Sequence, residues 1–276
     1  MWTGRGFQVG DRIVPVLAYE LGSSGWTDEL TVFHENTAGA DHFIDRSSRD
    51  HALSRVRRAA SGSSPSIIEI GCSSGFVLKL LRQSFPSSMI VGADYVGGPL
   101  QALASELPDL PLLQFDLTNC PLPDSSFDIV VLLNVLEHIQ DDNKALRHVS
   151  RILKPGGTAV IEVPAGPNLY DVYDKQLQHF RRYRLQDLVR QVEAAGMTVI
   201  EKSHLGFFIY PGFWWTKKRG QRRLRDDEDV QRAIVARDIK STGNSRVMYS
   251  LMQLEARLRD FMLYPWGIRC LITCTK

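Results

Sequence analysis

Two carboxylates and a glycine turn stand in an order that could bind a small ligand. Ile67 to Gly75 reads IIEIGCSSG, an apolar run that carries Glu69 and closes on Gly71 and Gly75. Such a run reads as a buried strand that turns into a helix, and its glycines let backbone come close to a bound molecule. The next apolar run, Met89 to Ala93, ends in Asp94. A carboxylate at that strand end can accept two hydrogen bonds from a ribose diol. Taken singly, a glycine turn also serves packing in many folds, and a strand-end carboxylate can be a solvated loop end. A second group of reactive residues lies in NLYDVYDKQLQHFRRYRLQDL, Asn168 to Leu188. There His179 shares a segment with Tyr170, Tyr173, Arg182 and Tyr183, and an imidazole can take a proton near neutral pH. A lone histidine in a polar segment is otherwise a surface residue.

Groups so far apart in the chain meet only if a sheet brings its strand ends together. Behind the glycine turn, Phe76, Val77, Leu80 and Leu81 recur at helical spacing. Further strands are expected at Leu112 to Phe115, ending at Asp116; at Phe127 to Leu133, running into Asn134, Val135, Leu136, Glu137 and His138; and at Thr158 to Val163, Val199 to Lys202 and Ile268 to Thr275. Helices are expected at Leu100 to Leu107 after Gly97, Gly98 and Pro99, at Asp142 to Leu153 and at Leu185 to Ala195. Lys154, Pro155, Gly156 and Gly157 stop the second of these, and Gly196 the third. This alternation predicts an α/β fold, a doubly wound and mostly parallel seven-stranded sheet.

The flanks are less regular. Residues 1–40 are glycine-rich with short apolar pieces. Asp41 to Ala60, through Phe43, Leu53 and Val56, suggests one or two amphipathic helices, and Ser61 to Ser66 a linker. After the sixth strand come the aromatic stretch Phe207 to Trp215, the basic run Lys217 to Arg225, and a helical stripe through Leu251, Leu254, Leu258 and Phe261 within Val247 to Leu263. The expected division is an N-terminal extension with cap helices (1–65), a core (66–204), an insertion covering the substrate side (205–265) and a last core strand (266–276).

A chain of 276 residues can bury one sizeable core, and a formal net charge of +2 gives no case for nucleic acid. Cys72, Cys120, Cys270 and Cys274 form no CxxC pair and no zinc-spaced cluster with histidine, so no metal is expected. No signal-like start and no apolar run of membrane-spanning length is seen, which reads as a cytoplasmic monomer or homodimer acting on a small molecule. Trp214 and Trp215, with the basic run behind them, could touch an anionic membrane. The run alternates with acidic Asp226 to Asp229, however, and such a pattern is ordinarily a solvated face.

The ordered set EIGCSSG (Glu69 to Gly75), GAD (Gly92 to Asp94), FDLTNCPLPDSSFDIVVLLNVLEHI (Phe115 to Ile139) and LRHVSRILKPGGTAVIEVP (Leu146 to Pro164) resembles the class I S-adenosylmethionine-dependent methyltransferases. The resemblance is to the broad subgroup, methyltransferase type 11-like, that includes the ubiquinone and menaquinone enzymes, and it spans roughly Ser66 to Lys202. Ser73 stands where the pattern has a third glycine, which is mild if that backbone position does not need positive φ. The resemblance implies S-adenosyl-L-methionine as cofactor. Gly71, Cys72 and Gly75 would pack the turn against its methionyl part and Glu69 would sit near its amino group. Asp94 would hold the ribose diol, Tyr95 the adenine face, Asp116 and Leu117 the adenine edge, and Asn134 and Leu136 would line the methionyl side. In such enzymes the Glu-His pair is shared across substrates, which favours a framework role for His138 over a catalytic one. A segment of the form HxRRY, here His179 to Tyr183, stands at the mouth of the acceptor site, with His179 as base or acceptor ligand and Arg182 and Tyr183 orienting the acceptor.

Methyl transfer from a sulfonium needs alignment and exclusion of water more than covalent help. O-methylation of a hydroxyl or carboxylate on a small acceptor is the leading expectation, with N- or C-methylation open. A carboxylate acceptor needs no base and would shift weight from His179 to Arg182. A non-catalytic cofactor-binding partner protein is the reading from another class. A nicotinamide dehydrogenase is disfavoured, because EIGCSSG is not a three-glycine phosphate-cradling turn.

Overall fold

The computed structural model describes residues 1–21, 42–60, 64–227, 229–231, 233, 235, 245–259 and 261–276. Residues 22–41, Ser61 to Ser63 of the linker and Glu228 of the acidic run lie outside the described residues.

The strands are β1 (Phe7–Val9), β2 (Arg12–Val14), β3 (Val16–Ala18), β4 (Ser66–Ile70), β5 (Met89–Asp94), β6 (Leu112–Gln114), β7 (Phe127–Leu133), β8 (Leu153–Pro164), β9 (Thr198–Leu205) and β10 (Arg269–Thr275). The helices are α1 (Phe43–Ala59), α2 (Phe76–Ser84), α3 (Gly97–Glu106), α4 (Asp142–Ile152), α5 (Val172–Gln176), α6 (Leu185–Ala194), α7 (Tyr210–Gln221) and α8 (Arg246–Leu258). The main sheet has eight strands in the order β3-β6-β5-β4-β7-β8-β10-β9, parallel except for β10, which runs antiparallel to both neighbours.

Alternation along the strands builds the two faces. Ile67, Ile129, Val131 and Val160 point to one side, into a core closed by Ala52, Leu53 and Val56 of α1, Leu78 and Leu81 of α2, and Leu100 and Leu103 of α3. Ile68, Val130, Leu132 and Ile161 point to the other, against Leu146, Val149 and Ile152 of α4 and Leu188 and Val192 of α6. Full burial of one such aliphatic side chain is worth about 1.5–3 kcal/mol, so both faces contribute to holding the strand ends in register. The strand order reverses around β4, with β5 on one side and β7 on the other, and a ligand crevice is expected outside the carboxyl ends there.

Three differences from the sequence reading stand out, and one open alternative is narrowed. The eighth strand is β3 of the extension, which pairs in parallel with β6; three residues are too few to show a strand period. The expected one or two helices before the linker are the single helix α1. Helix α3 begins at Gly97, three residues before its apolar stripe. Lys154 to Gly157 end α4 but belong to β8, whose pairing with β7 shifts register between Phe127 and Ile129. Of the described helices, none is long and apolar enough to cross a membrane.

Candidate active site

A cavity of about 470 Å³ opens at the carboxyl ends of β4, β5, β6 and β7. Its walls include Glu69, Gly71, Cys72, Asp94, Tyr95, Asp116, Leu117, Asn134, His138 and His179. Local backbone explains how the turn fits. Gly71 has φ +82°, and a Cβ there would come within 2.4 Å of Val135 Cγ2. Ser73 has φ +46°, so the position lacking the third glycine does sit in the left-handed region, contrary to the milder expectation. Its N–H donates to Asp94 Oδ2 at 2.8 Å, and Val96 N–H donates to Asp94 Oδ1 at 3.0 Å. Asp94 therefore fastens the glycine turn to the end of β5. Asp116 Oδ1 accepts from the N–H and hydroxyl of Thr118, at 2.7 and 2.8 Å.

Two buried oxygens in the wall, Glu69 Oε2 and Asn134 Oδ1, have no hydrogen-bond partner among the described residues. Burial, then the neighbouring Asp94 carboxylate, pushes Glu69 well above the usual carboxylate range. Acceptor oxygens held in this way suit a cationic amino group, and the strand-end carboxylates suit a nucleoside.

Residues 68–161 match the family described as a methyltransferase domain. A "Probable S-adenosylmethionine-dependent methyltransferase" of Mycolicibacterium smegmatis is 27% identical over 188 residues, 67% of this chain and 71% of that protein. The ubiquinone/menaquinone biosynthesis C-methyltransferase UbiE of Geobacter sulfurreducens is 30% identical over 125 residues, 43% of this chain and about half (48%) of that one. Among solved structures, the Haemonchus contortus phosphoethanolamine N-methyltransferase 2 in complex with S-adenosyl-L-methionine shares the fold, with TM-score 0.57 and 16% identity over 89% of this chain and 56% of that one. The matched stretch is a methyltransferase domain, and S-adenosylmethionine-dependent methyltransferases are among its relatives. Its enzyme class is methyltransferase, and its cofactor is S-adenosyl-L-methionine.

In this methyltransferase the second group of reactive residues forms a buried charge cluster behind the cavity. Asp171 caps α5, accepting from Tyr173 N–H at 3.1 Å, and Asp174 Oδ2 accepts in return from Asp171 N–H. Asp174, without exposure, accepts from His179 Nδ1 at 2.8 Å and Arg182 Nη1 at 2.9 Å on Oδ1, and from Lys217 Nζ at 3.2 Å on Oδ2. Lys217 also donates to Asp171 Oδ1 at 2.7 Å. Burial alone would raise Asp174, but Lys217 and the hydrogen bond from His179 hold it well below the usual carboxylate range. Lys217 and Arg182 thus bring two cations to these two carboxylates. Burial lowers His179 to about 4 against the upward pull of Asp174, so the ring is neutral at neutral pH. A neutral ring that donates through Nδ1 carries its lone pair on Nε2.

The structure does not bring every expected site residue to the cavity. Gly75 is the left-handed residue before α2, and a Cβ on it would meet Leu103 Cδ1 at 2.5 Å; its place is a helix contact outside the lining. Leu136 is fully buried in the core. Arg182, with Nε on Ala165 O at 2.8 Å as well as Nη1 on Asp174, is engaged behind the histidine and is not among the lining. Tyr183 donates its hydroxyl to buried Asp142 at 2.8 Å. His138 does line the cavity, its ring edge-on to His179 at 4.7 Å between centroids. No described residue of 205–265 is among the lining; Trp214 and Trp215 are exposed, and the segment reaches the site through Lys217.

The sequence reading did not name several wall residues. Asp45, Ser48 and Arg49 come from α1, and Arg269 from the first position of β10. Glu137 lines the cavity with no exposure, and burial, only partly opposed by Arg269, raises it to about 8. Only the charge of Arg269 at the head of an apolar strand was a visible signal. Glu137, His138 and His179, read as unrelated to metal, bring their ligand atoms within 4.8 Å of one another.

Proposed function

We propose that this methyltransferase methylates a hydroxyl oxygen of a small-molecule acceptor, with His179 as proton acceptor. The observation that carries this reading is the neutral His179 ring at the cavity wall, its Nδ1 fixed on Asp174. Bound in the cavity, S-adenosylmethionine supplies a methyl group activated on a sulfonium. Glu69 and Asn134 would hold its amino group, Gly71 and Cys72 would pack against the methionyl chain, Asp94 would take the ribose diol, and Tyr95, Asp116 and Leu117 would enclose the adenine. His179 takes the acceptor's proton on Nε2, while Asp174 holds the tautomer and stabilises the cation that forms.

The relatives are named for C- and N-methylation, which leaves the acceptor atom to be argued from the site. A carboxylate acceptor would need a cation, and the arginines in the wall are Arg49 and Arg269. In this reading the division into extension (1–65), core (66–204), insertion (205–265) and last strand (266–276) is kept, except that the extension adds β3 to the sheet and α1 residues to the wall, and the described residues of the insertion do not cover the cavity. The insertion would influence the acceptor side through Lys217 and the histidine it supports. The test is transfer of labelled methyl from S-adenosylmethionine to a panel of phenols, aliphatic alcohols, carboxylic acids and amines. An alkali-stable ether is the expected product; an alkali-labile ester or an N-methyl product would overturn the hydroxyl reading.

Replacing Asp94 with alanine is expected to weaken S-adenosylhomocysteine binding at least about tenfold, or about 1.4 kcal/mol. A hydrogen bond to a charged group is worth roughly 1.5–3 kcal/mol, and the turn loses its tie to Ser73 as well. Calorimetry decides it, and unchanged affinity in a folded Asp94→Ala protein would remove Asp94 from the ribose site.

A further inference from the structure

We propose that Glu137, His138 and His179 form a binding site for one divalent transition-metal ion in the cavity wall. Their ligand atoms lie within 4.8 Å of one another, and all three residues line the cavity, so a bound ion would keep a position open to it. Tetrahedral bonds of about 2.0–2.2 Å set ligand atoms roughly 3.4 Å apart, a distance that side-chain rotation alone can close.

Three observations point to an ion here. Both carboxylate oxygens of Glu137 are buried without a hydrogen-bond partner among the described residues, although its residue exposure is nil. A buried carboxyl in that state is an unsatisfied polar group, and an ion that displaced its proton would give those oxygens a partner. His179 gives Nδ1 to Asp174 at 2.8 Å, which leaves Nε2 as its other ligand atom, and a carboxylate orients a metal-ligating histidine in this way. The two ligand-bearing segments are also pinned together: Phe180 N–H donates to Glu137 O at 2.8 Å, and Arg181 Nη2 donates to Gln140 O at 2.7 Å. The two segments are thus held side by side before any ion arrives.

Two imidazoles and one carboxylate select borderline ions such as zinc, cobalt or ferrous iron over calcium and magnesium, which take oxygen ligands. An ion on Nε2 and a proton accepted at Nε2 exclude each other. Binding is therefore read directly and not through turnover, so its failure is separate from failure of the hydroxyl reading.

The experiment is titration of the metal-stripped chain with Co²⁺, followed by visible absorption, and with Zn²⁺ by calorimetry. One ion per chain is expected, with ligand-field bands of nitrogen and oxygen coordination and with proton resonances of two histidines shifted by the bound cobalt. Glu137→Gln and His138→Gln should each weaken binding at least about tenfold, as even the residues behind a ligand commonly do. Both variants should keep S-adenosylhomocysteine affinity, which also reports that they fold. No stoichiometric binding would overturn the proposal, as would undiminished affinity in folded Glu137→Gln. A sulfur-to-cobalt charge-transfer band would place the ion on Cys72 and overturn it too. If neither variant folds, the histidine resonances of the unaltered protein decide the matter alone.

Discussion

His179→Ala is expected to lower turnover by roughly 10²–10⁴-fold at saturating methyl donor, the usual loss for a positioned base. S-adenosylhomocysteine affinity should stay nearly unchanged, because the groups assigned to the cofactor lie at the ends of β4 to β7 and not on the 168–188 segment. The fold should survive the change as well. The ring is neutral, so its removal leaves Asp171 and Asp174 still facing Lys217 and Arg182. The pH profile of kcat/KM supplies the independent check. Burial lowers His179 to about 4, so the neutral, proton-accepting form is present above that value and lost as pH falls through it. Activity should therefore hold from neutral pH down to about pH 5 and decline below it. A loss under about threefold in His179→Ala would take His179 out of the chemistry. An equally large loss in His179→Gln at every pH would point to acceptor positioning, and so to an acceptor that arrives already ionised.

The cofactor half of this site was legible because it repeats one local pattern. Glu69, Asp94, Asp116 and Asn134 each stand on or just beyond an apolar strand, and a parallel sheet gathers such positions at one edge. Leu136 and Gly75 show the limit of that pattern: each is adjacent to the crevice in sequence but spent on packing, Leu136 in the core and Gly75 against Leu103. The acceptor half was harder to read. His179 could be picked out by its chemistry, but its partner Asp174 sits five residues earlier in a five-residue helix too short to show a period. Lys217 belongs to a basic run that reads as solvated, yet its side chain is 6% exposed and bridges both aspartates. Arg182 and Tyr183, which the HxRRY resemblance aimed at the acceptor, point inward to Asp174 and Asp142. Such pairings depend on contacts between distant elements, which carry no spacing rule.

Asp174→Ala should be the most damaging single change to stability, at about 3–5 kcal/mol, because it leaves buried charge uncompensated. Without Asp174, Lys217 keeps Asp171 alone, and Arg182 Nη1 loses the carboxylate it donates to. Lys217→Met, which strands the two aspartates instead, should cost a comparable amount. The double variant Asp174→Ala/Lys217→Met should cost clearly less than the sum, since partners in one buried network are coupled. Urea denaturation of the four proteins at pH 7 gives these numbers. The pH dependence has a fixed sign. Asp174 is depressed in the folded protein, so its contribution is fully present above the unfolded value of about 3.9 and fades as pH falls through the lower folded value. The gap between wild type and Asp174→Ala should thus narrow in strong acid, with a smaller change near pH 6, where burial and the neighbouring Asp174 place Asp171. A cost below about 1 kcal/mol at pH 7 would mean that water reaches the cluster and screens it as it does a surface pair. His179 would then no longer be confined to its neutral form by burial, and a proton acceptor titrating near its ordinary value of about 6.5 would replace the low one argued above.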